Sequence, residues 1–258
     1  MTSPRITLLL PCRNEKGTIG TAIELSLRLP GVDEVIVIEG NSTDETFQIA
    51  TDTKDSLNKS LSSQVQVIVQ SGVGKWNAVL DGMNISKNKH IGIWDADMTV
   101  SFFEQSQIHD KYLDYYEKHQ ACCLSTGNRM SSKEPGAMRF MNIIGNYFFS
   151  FLWSILGSQR IPDLLCGSKV FNKDILSILP KKLINYDPYG DFSIFASAIL
   201  SRQKIIFLNL TYRARTYGQT NIMRWSGGVN LLRFTFLFSI LYFNRISANR
   251  LGIERDVR

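Results

Sequence analysis

Short apolar runs alternating with polar stretches set the pattern of the first hundred residues. Arg5 to Leu10 is β-rich and barely alternates, which predicts a buried strand ended by Pro11-Cys12-Arg13-Asn14-Glu15-Lys16-Gly17. Thr18 opens a helix to about Leu29, and Pro30-Gly31 stops it. Val35-Ile36-Val37-Ile38 is a second strand. Ser42 or Thr43 caps the helix that follows, with Glu45 or Thr46 in its first turn. Val65 to Val69 forms a third strand, and Gly72-Val73-Gly74-Lys75 leads into a helix through Met83. The fourth strand, His90 to Trp94, ends abruptly in Asp95-Ala96-Asp97-Met98-Thr99. Such alternation predicts an α/β chain with a parallel sheet and crossover helices. Its polar loops then gather where these sheets bind ligands, outside the carboxyl ends of the strands.

The second half reads differently. Cys122 to Thr126 predicts a strand, followed by Gly127-Asn128-Arg129-Met130. Ala137 to Leu156 is a helix apolar on more than one side, through Phe140, Ile143, Ile144, Tyr147, Phe148, Phe149, Phe151, Leu152 and Trp153. A helix of that kind is either buried or faces lipid. Pro162 to Phe171 is a loop entering a short strand, Tyr189-Gly190-Asp191 opens a helix to about Leu200, and Lys204 to Leu210 is the last strand. Arg213 to Thr220 is a polar loop with two arginines, and Val229 to Phe243 is a second aromatic helix.

At 258 residues, 44% hydrophobic and 20% charged, the chain suits one large α/β domain or two small ones. The net charge of +6 fits an anionic ligand or an acidic membrane surface. No Arg-rich helix or recognition motif favours nucleic acid as a partner. Cys12, Cys122, Cys123 and Cys166 lack C-x-x-C spacing and read as small apolar residues of a reduced compartment. Leu8 to Leu10 is too short for a signal-peptide core, and no stretch of about 20 apolar residues suggests a membrane span.

Two residues carry the sharpest chemistry. Asp95 and Asp97 repel unless something cationic sits between them, and hard oxygen ligands suit Mg²⁺ or Mn²⁺. The plain alternative is a solvated turn. Lys75 follows a Gly-x-Gly turn at a helix start, a natural anion site, or is an ordinary surface lysine.

With these residues in order, the sequence resembles the inverting family 2 glycosyltransferases of the GT-A fold. It is most similar to the branch holding dolichol-phosphate mannose synthase and bacterial polyprenyl-phosphate sugar transferases. The resemblance runs over roughly residues 5 to 225 and rests on several motifs. Pro11-Cys12-Arg13-Asn14-Glu15 is similar to P-x-x-N-E, and Glu39 to Thr46 to D-D-x-S-x-D-x-T, with Glu39 and Gly40 departing at the first two positions. Gly74-Lys75 with Ala78 and Gly82 resembles G-K-x-x-A-x-x-x-G, and Asp95-Ala96-Asp97 the metal motif. Gly127-Asn128-Arg129 and Asp163 with Gly167 to Phe171 resemble acceptor-side motifs, while Thr99 stands where mannose synthases often carry Gln.

The resemblance implies a mostly parallel sheet flanked by helices, with two amphipathic helices in the C-terminal half. Residues 1–225 would form the transferase domain, its nucleotide-sugar half 1–100 and its acceptor half 101–225. Residues 226–258 would add an aromatic helix and a basic tail. It implies a nucleotide-diphospho-sugar donor held by Pro11, Arg13, Glu15, Glu39, Asp44, Lys75 and Asp95. Mg²⁺ or Mn²⁺ would sit on Asp97 directly and on Asp95 directly or through ribose or water. A polyprenyl-phosphate or other lipid-linked acceptor would be clamped by Arg129, Lys169, Arg213 and Arg215. Asp97, Asp191, Arg129 and Arg215 would carry catalysis. Such a phosphate is already ionised and needs no base, so Asp191 is either a base for a sugar-hydroxyl acceptor or a helix N-cap. The aromatic helices then meet the membrane interface, a second copy in a homodimer, or the core. The interface reading makes the protein peripheral on the cytoplasmic membrane face.

Three other functions stay open. One is transfer to a hydroxyl of a growing cell-surface glycan. A nucleotidyltransferase would want a G-x-G-T-R-x loop after the first strand, which Pro11 to Lys16 lacks. A non-catalytic sugar-nucleotide module is opposed by Asp95, Asp97 and Asp191.

Overall fold

The computed structural model describes residues 3–138, 140–215 and 224–250. Thr216 to Thr220 of the expected polar loop, and the basic tail from residue 251, lie outside the described residues. Strands β1 (Ile6–Cys12), β2 (Val32–Glu39), β3 (Val65–Val69) and β4 (His90–Ile93) are linked through helices α1 (Ile19–Ser26), α2 (Thr46–Ser56), α3 (Lys59–Ser62) and α4 (Lys75–Ile85). Then follow α5 (Phe102–His119), β5 (Leu124–Lys133), α6 (Phe140–Leu156), β6 (Lys169–Asn172), α7 (Lys181–Ile184), α8 (Asp191–Leu200), β7 (Ile205–Tyr212) and α9 (Arg224–Arg250).

The seven strands lie in the order β3-β2-β1-β4-β6-β5-β7. All pairings are parallel except those of β6, which runs antiparallel to β4 and β5. Cys12 lies opposite Glu39, and Leu9 opposite Ile93, so β1, β2 and β4 end along one edge. Because β6 runs the other way, its first residue, Lys169, reaches that same edge opposite Ile93.

Strand side chains alternate between two faces, and both faces are covered, which is why these strands read as continuous apolar runs. Leu8, Leu10, Val35 and Val37 pack with Ile19, Ala22, Ile23 and Ala50 of α1 and α2. Leu9, Ile36, Ile38, Ile91 and Ile93 pack on the other side with α4, α6, α8 and α9.

Pro11 does not end β1, contrary to expectation. The Leu9 carbonyl accepts a bond from Trp94 N–H, so Leu9 and Pro11 face β4, whose pairing stops at Ile93. The missing N–H of Pro11 therefore costs no ladder bond.

Helix α5 lies outside the elements expected from the sequence. Ser101 and Glu104 close a reciprocal capping box at its start, and Gln105, Ile108, His109 and Tyr112 form its buried stripe. His109 is fully buried, with Nδ1 3.0 Å from the Pro30 carbonyl. Burial pushes its imidazole down to about 4, against that hydrogen bond. Between pH 6.5 and about 4 the unfolded chain therefore binds the extra proton. Stability due to neutral His109 is complete above that window and is lost as pH falls through it, by about 3 kcal/mol. Urea midpoints at pH 7 and pH 5 should shift less in His109→Gln than in the parent; an equal shift would place the acid-sensitive group elsewhere.

The two aromatic helices are neither wholly core nor wholly surface. Trp153 of α6 stacks on Phe238 of α9 at 4.9 Å between ring centroids, and its Nε1 donates to Thr235 Oγ1 at 3.1 Å. Phe140, Tyr147, Phe148, Phe151 and Ile155 of α6, and Leu232, Phe236, Ile240 and Phe243 of α9, are exposed. Among the described residues no helix is long and apolar enough to cross a membrane.

Candidate active site

β4 delivers its carboxylates to the carboxyl edge, and a tight turn fixes them there. Met98 adopts a left-handed φ of 53°, and its N–H donates to the Asp95 carbonyl at 3.2 Å. Asp97 Oδ1 accepts from Thr99 N–H at 3.0 Å and from Thr99 Oγ1 at 2.9 Å. Its other oxygen lies 2.6 Å from Arg215 Nη2, and Arg215 Nη1 reaches Glu15 Oε1 at 3.2 Å. Thr99, which departs from the family pattern, thus orients Asp97.

Lys75 bonds Asp95 from the start of α4, and Lys169 bonds Asp191 across the β6–α8 gap. A Cβ on Gly167 would overlap the Asp95 carboxylate and come within 2.7 Å of Lys75 Nζ, so only glycine lets this loop close over the pair. Glu15, Asp95, Asp97 and Asp191 thereby gather with Lys75, Lys169 and Arg215: four carboxylates and three cations.

Burial opposes ionisation of Asp95, but Lys75, Lys169 and Arg215 outweigh it and hold its carboxyl below the usual range. Asp97 is pushed the other way by burial and then by the charge of Asp95, against Arg215 and the Thr99 bonds. Burial and then Asp97 raise Glu15 to about 7, opposed by Arg215. Burial disfavours the Lys75 charge, yet Asp95, Asp191 and Asp97 raise its affinity for the proton. One more positive charge beside Asp97 and Glu15 would relieve this arrangement.

The donor set is compatible with a hard divalent cation. Among the described residues no three His, Cys, Asp or Glu side chains form a complete protein cage. Mg²⁺-type sites need none, since one or two carboxylates suffice when phosphate oxygens and water complete the shell.

The loops after β1 and β2 are tied to each other. Thr43 N–H donates to Asn14 Oδ1 at 2.8 Å, and Glu15 N–H to Thr46 Oγ1 at 2.8 Å. Asp44 accepts from Thr46 N–H at 3.1 Å. Glu39 is buried and accepts from Asn41 N–H at 3.1 Å and Ser42 N–H at 2.5 Å, so its carboxylate shapes its own loop. A Cβ at Gly40 would lie 3.1 Å from the Cys12 carbonyl, a tight approach. Pro11 is half-buried beside these loops and Arg13 is exposed.

Of the four expected acceptor-side cations, the structure brings Lys169 and Arg215 into the cluster. Arg129 instead grips buried Asp163 through Nε and Nη2, both at 2.8 Å, with its guanidinium 5.2 Å from the Tyr212 ring centre. Arg213 pairs with Glu104 at 2.9 Å, while its N–H donates to the Thr99 carbonyl. Nor is Asp191 the N-cap of α8. Asp187 does that work, accepting from the N–H groups of Tyr189, Gly190 and Ser193 at 3.1, 2.9 and 2.7 Å. The Asp187-Pro188 dipeptide before Gly190 was the sequence signal for that turn.

Residues 7–177 match the family described as Glycosyl transferase family 2. Glycosyltransferase AglJ of Haloferax volcanii is 28% identical over 174 residues, 67% of this chain and 52% of that protein. Dolichyl-phosphate beta-glucosyltransferase of Dictyostelium discoideum is 26% identical over 144 residues, 55% of this chain and 43% of that protein. The matches thus span about half the length of these curated relatives. Glucosyl-3-phosphoglycerate synthase from Mycobacterium tuberculosis, solved with Mn²⁺, UDP and phosphoglyceric acid, shares the fold. Its TM-score is 0.61 at 17% identity, over 90% of this chain and 78% of that one. A family match over more than half the chain, laid on a GT-A sheet whose fourth strand ends in Asp95-Ala96-Asp97, makes this chain a member of glycosyl transferase family 2.

Proposed function

We propose that this protein moves a sugar from a nucleotide-diphospho-sugar to a polyprenyl phosphate, with inversion at the anomeric carbon, at the cytoplasmic face of a membrane. The Dictyostelium relative's name, a dolichyl-phosphate glucosyltransferase, supports a lipid phosphate as acceptor. The observation that carries the choice is the Lys169–Asp191 pair. Both side chains are buried, and protonating Asp191 would remove the carboxylate charge in direct contact with the Lys169 ammonium. A hydroxyl acceptor would need a base there. An ionised phosphate oxygen attacks without one.

Asp97 and Asp95, with the donor phosphates, are the residues that would hold Mg²⁺ or Mn²⁺. The M. tuberculosis enzyme was solved with Mn²⁺ and UDP, and with Mg²⁺ and UDP, which supports this reading. When bound, such a cation offsets the negative charge that develops on a departing diphosphate. Lys75, at the start of α4, adds a fixed positive charge and lies beside the helix's free N–H groups. Glu15 and Asp44 offer acceptors for ribose hydroxyls and base N–H groups, and Glu39 and Pro11 set the loop that presents them. Arg215 links the donor side to the acceptor side. Binding of UDP-, GDP- and dTDP-sugars, each with and without Mn²⁺, tests the donor assignment; metal-enhanced binding of one is expected, and binding of none would end it.

The exposed faces of α6 and α9 are the surface on which such a protein would meet its lipid acceptor. Their apolar area exceeds what isolated surface residues explain. Removing α9 is a poor test, because Phe234 and Phe238 belong to the core. Exchange of Phe140, Phe151, Phe236 and Phe243 for serine should weaken vesicle binding by more than ~10-fold, since each buried ring contributes about 1.5–3 kcal/mol. Donor affinity should stay unchanged. Parental vesicle binding together with a halved particle mass would identify a homodimer face instead.

A further inference from the structure

A cavity of about 620 Å³ lies at the opposite end of α8 from the carboxylate cluster. Asp191 opens this helix and Leu200 closes it, so the two ends are about 15 Å apart at 1.5 Å per residue. The volume falls within the range of small-ligand sites. Arg202, Lys204 and Arg245 line it, together with Tyr115, Tyr242 and Gln203, and no Asp or Glu does.

Like charges around one cavity repel, and a bound anion would offset that repulsion. No carboxylate of the described residues pairs with Arg202, Lys204 or Arg245. Helix ends do not account for the three. The carbonyl end of α6 is closed by Gly157 N–H on Trp153 at 2.8 Å, and that of α8 by Ser201 on Ser197 and Gln203 on Ala198, both at 2.9 Å. Arg245 lies inside α9, short of its end. Two guanidinium forks, an ammonium and two phenol hydroxyls match the oxygens of a phosphate.

We infer that this cavity is a second anion site, which takes a phosphate monoester or diester group separately from the donor. The group can come from a free phosphorylated solute or from an anionic lipid headgroup. The second source has a structural basis, because α9, which carries part of the exposed aromatic face, also supplies Tyr242 and Arg245 to the cavity.

The full chain is titrated with inorganic phosphate in EDTA by calorimetry, and sedimented with phosphatidylcholine vesicles with and without phosphatidylglycerol. The variants are the triple Arg202→Gln, Lys204→Gln, Arg245→Gln, and Lys75→Met at the donor site. A triple of exposed lysines elsewhere, Lys59→Gln, Lys181→Gln, Lys182→Gln, matches the loss of charge. Phosphate affinity should fall about tenfold or more in the cavity triple and persist in the other two, as for loss of a charge-assisted hydrogen bond or more. Weakened binding only to the phosphatidylglycerol vesicles, and only in the cavity triple, would assign the site to a headgroup. Parental behaviour of the cavity triple in both arms, or phosphate binding lost only in Lys75→Met, overturns the inference. Should the triple fail to fold, Arg245→Gln alone, at an exposed side chain, serves for both arms.

Discussion

Asp97→Asn is expected to cut sugar transfer by at least ~10³-fold, the upper range for losing one preorganised electrostatic contact. The exchange keeps the shape of the side chain but removes the charge that faces Arg215 Nη2 at 2.6 Å. Asparagine can still accept from Thr99 through its carbonyl oxygen, so the turn survives and the loss reports on charge. Arg215 would keep its 3.2 Å contact with Glu15. Nucleoside diphosphate should bind the variant weakly, and Mn²⁺ should no longer strengthen it. Calorimetry with and without Mn²⁺ separates this outcome from a folding defect. Undiminished metal-enhanced affinity would remove Asp97 from the proposed metal site.

Arg129→Ala is expected to have the largest effect on stability. Asp163 is fully buried, and Arg129 supplies three of its bonds: two from the guanidinium at 2.8 Å and one from the backbone at 2.9 Å. Asn146 Nδ2 and the Leu165 N–H satisfy the remainder at 2.9 and 3.0 Å. Burial disfavours both charges, yet Asp163 raises the Arg129 proton affinity further, and Arg129 holds the Asp163 carboxyl below its usual range. Removing the guanidinium strands a buried carboxylate, which costs about 3–5 kcal/mol. Arg215, whose side chain is about one-third exposed, has no such burden, so Arg215→Ala should lose turnover while unfolding near the parental urea midpoint. Equal midpoints for the Arg129 and Arg215 variants would contradict this division of roles.

The first hundred residues were legible because their signals are local. Four apolar runs of strand length, each bounded by Pro, polar or charged residues, need no distant partner to be recognised. The D-x-D edge after β4 follows from them directly. Helix α5 was missed because Glu104, Asp110, Lys111, Asp114, Glu117 and Lys118 dilute its apolar stripe. Ser101-x-x-Glu104 was nevertheless a readable start signal. The later part of the chain depends on contacts far apart in sequence. Nothing near Arg129 announces Asp163, 34 residues on, and nothing near Asp191 announces Lys169, 22 residues back. The antiparallel insertion of β6, which brings Lys169 to the site, is a property of the whole sheet.

Transfer of labelled sugar to a short-chain polyprenyl phosphate, beside the matching polyprenol and a glycan hydroxyl acceptor, tests the central claim most directly. The parent should form a phosphate-linked product of inverted anomeric configuration and nothing from either hydroxyl. Asp191→Asn should keep a measurable fraction of that activity, because no proton is removed in the reaction. Transfer to a hydroxyl acceptor that vanishes in Asp191→Asn, where general-base catalysis is worth roughly 10²–10⁴-fold, would contradict the account and make Asp191 the base.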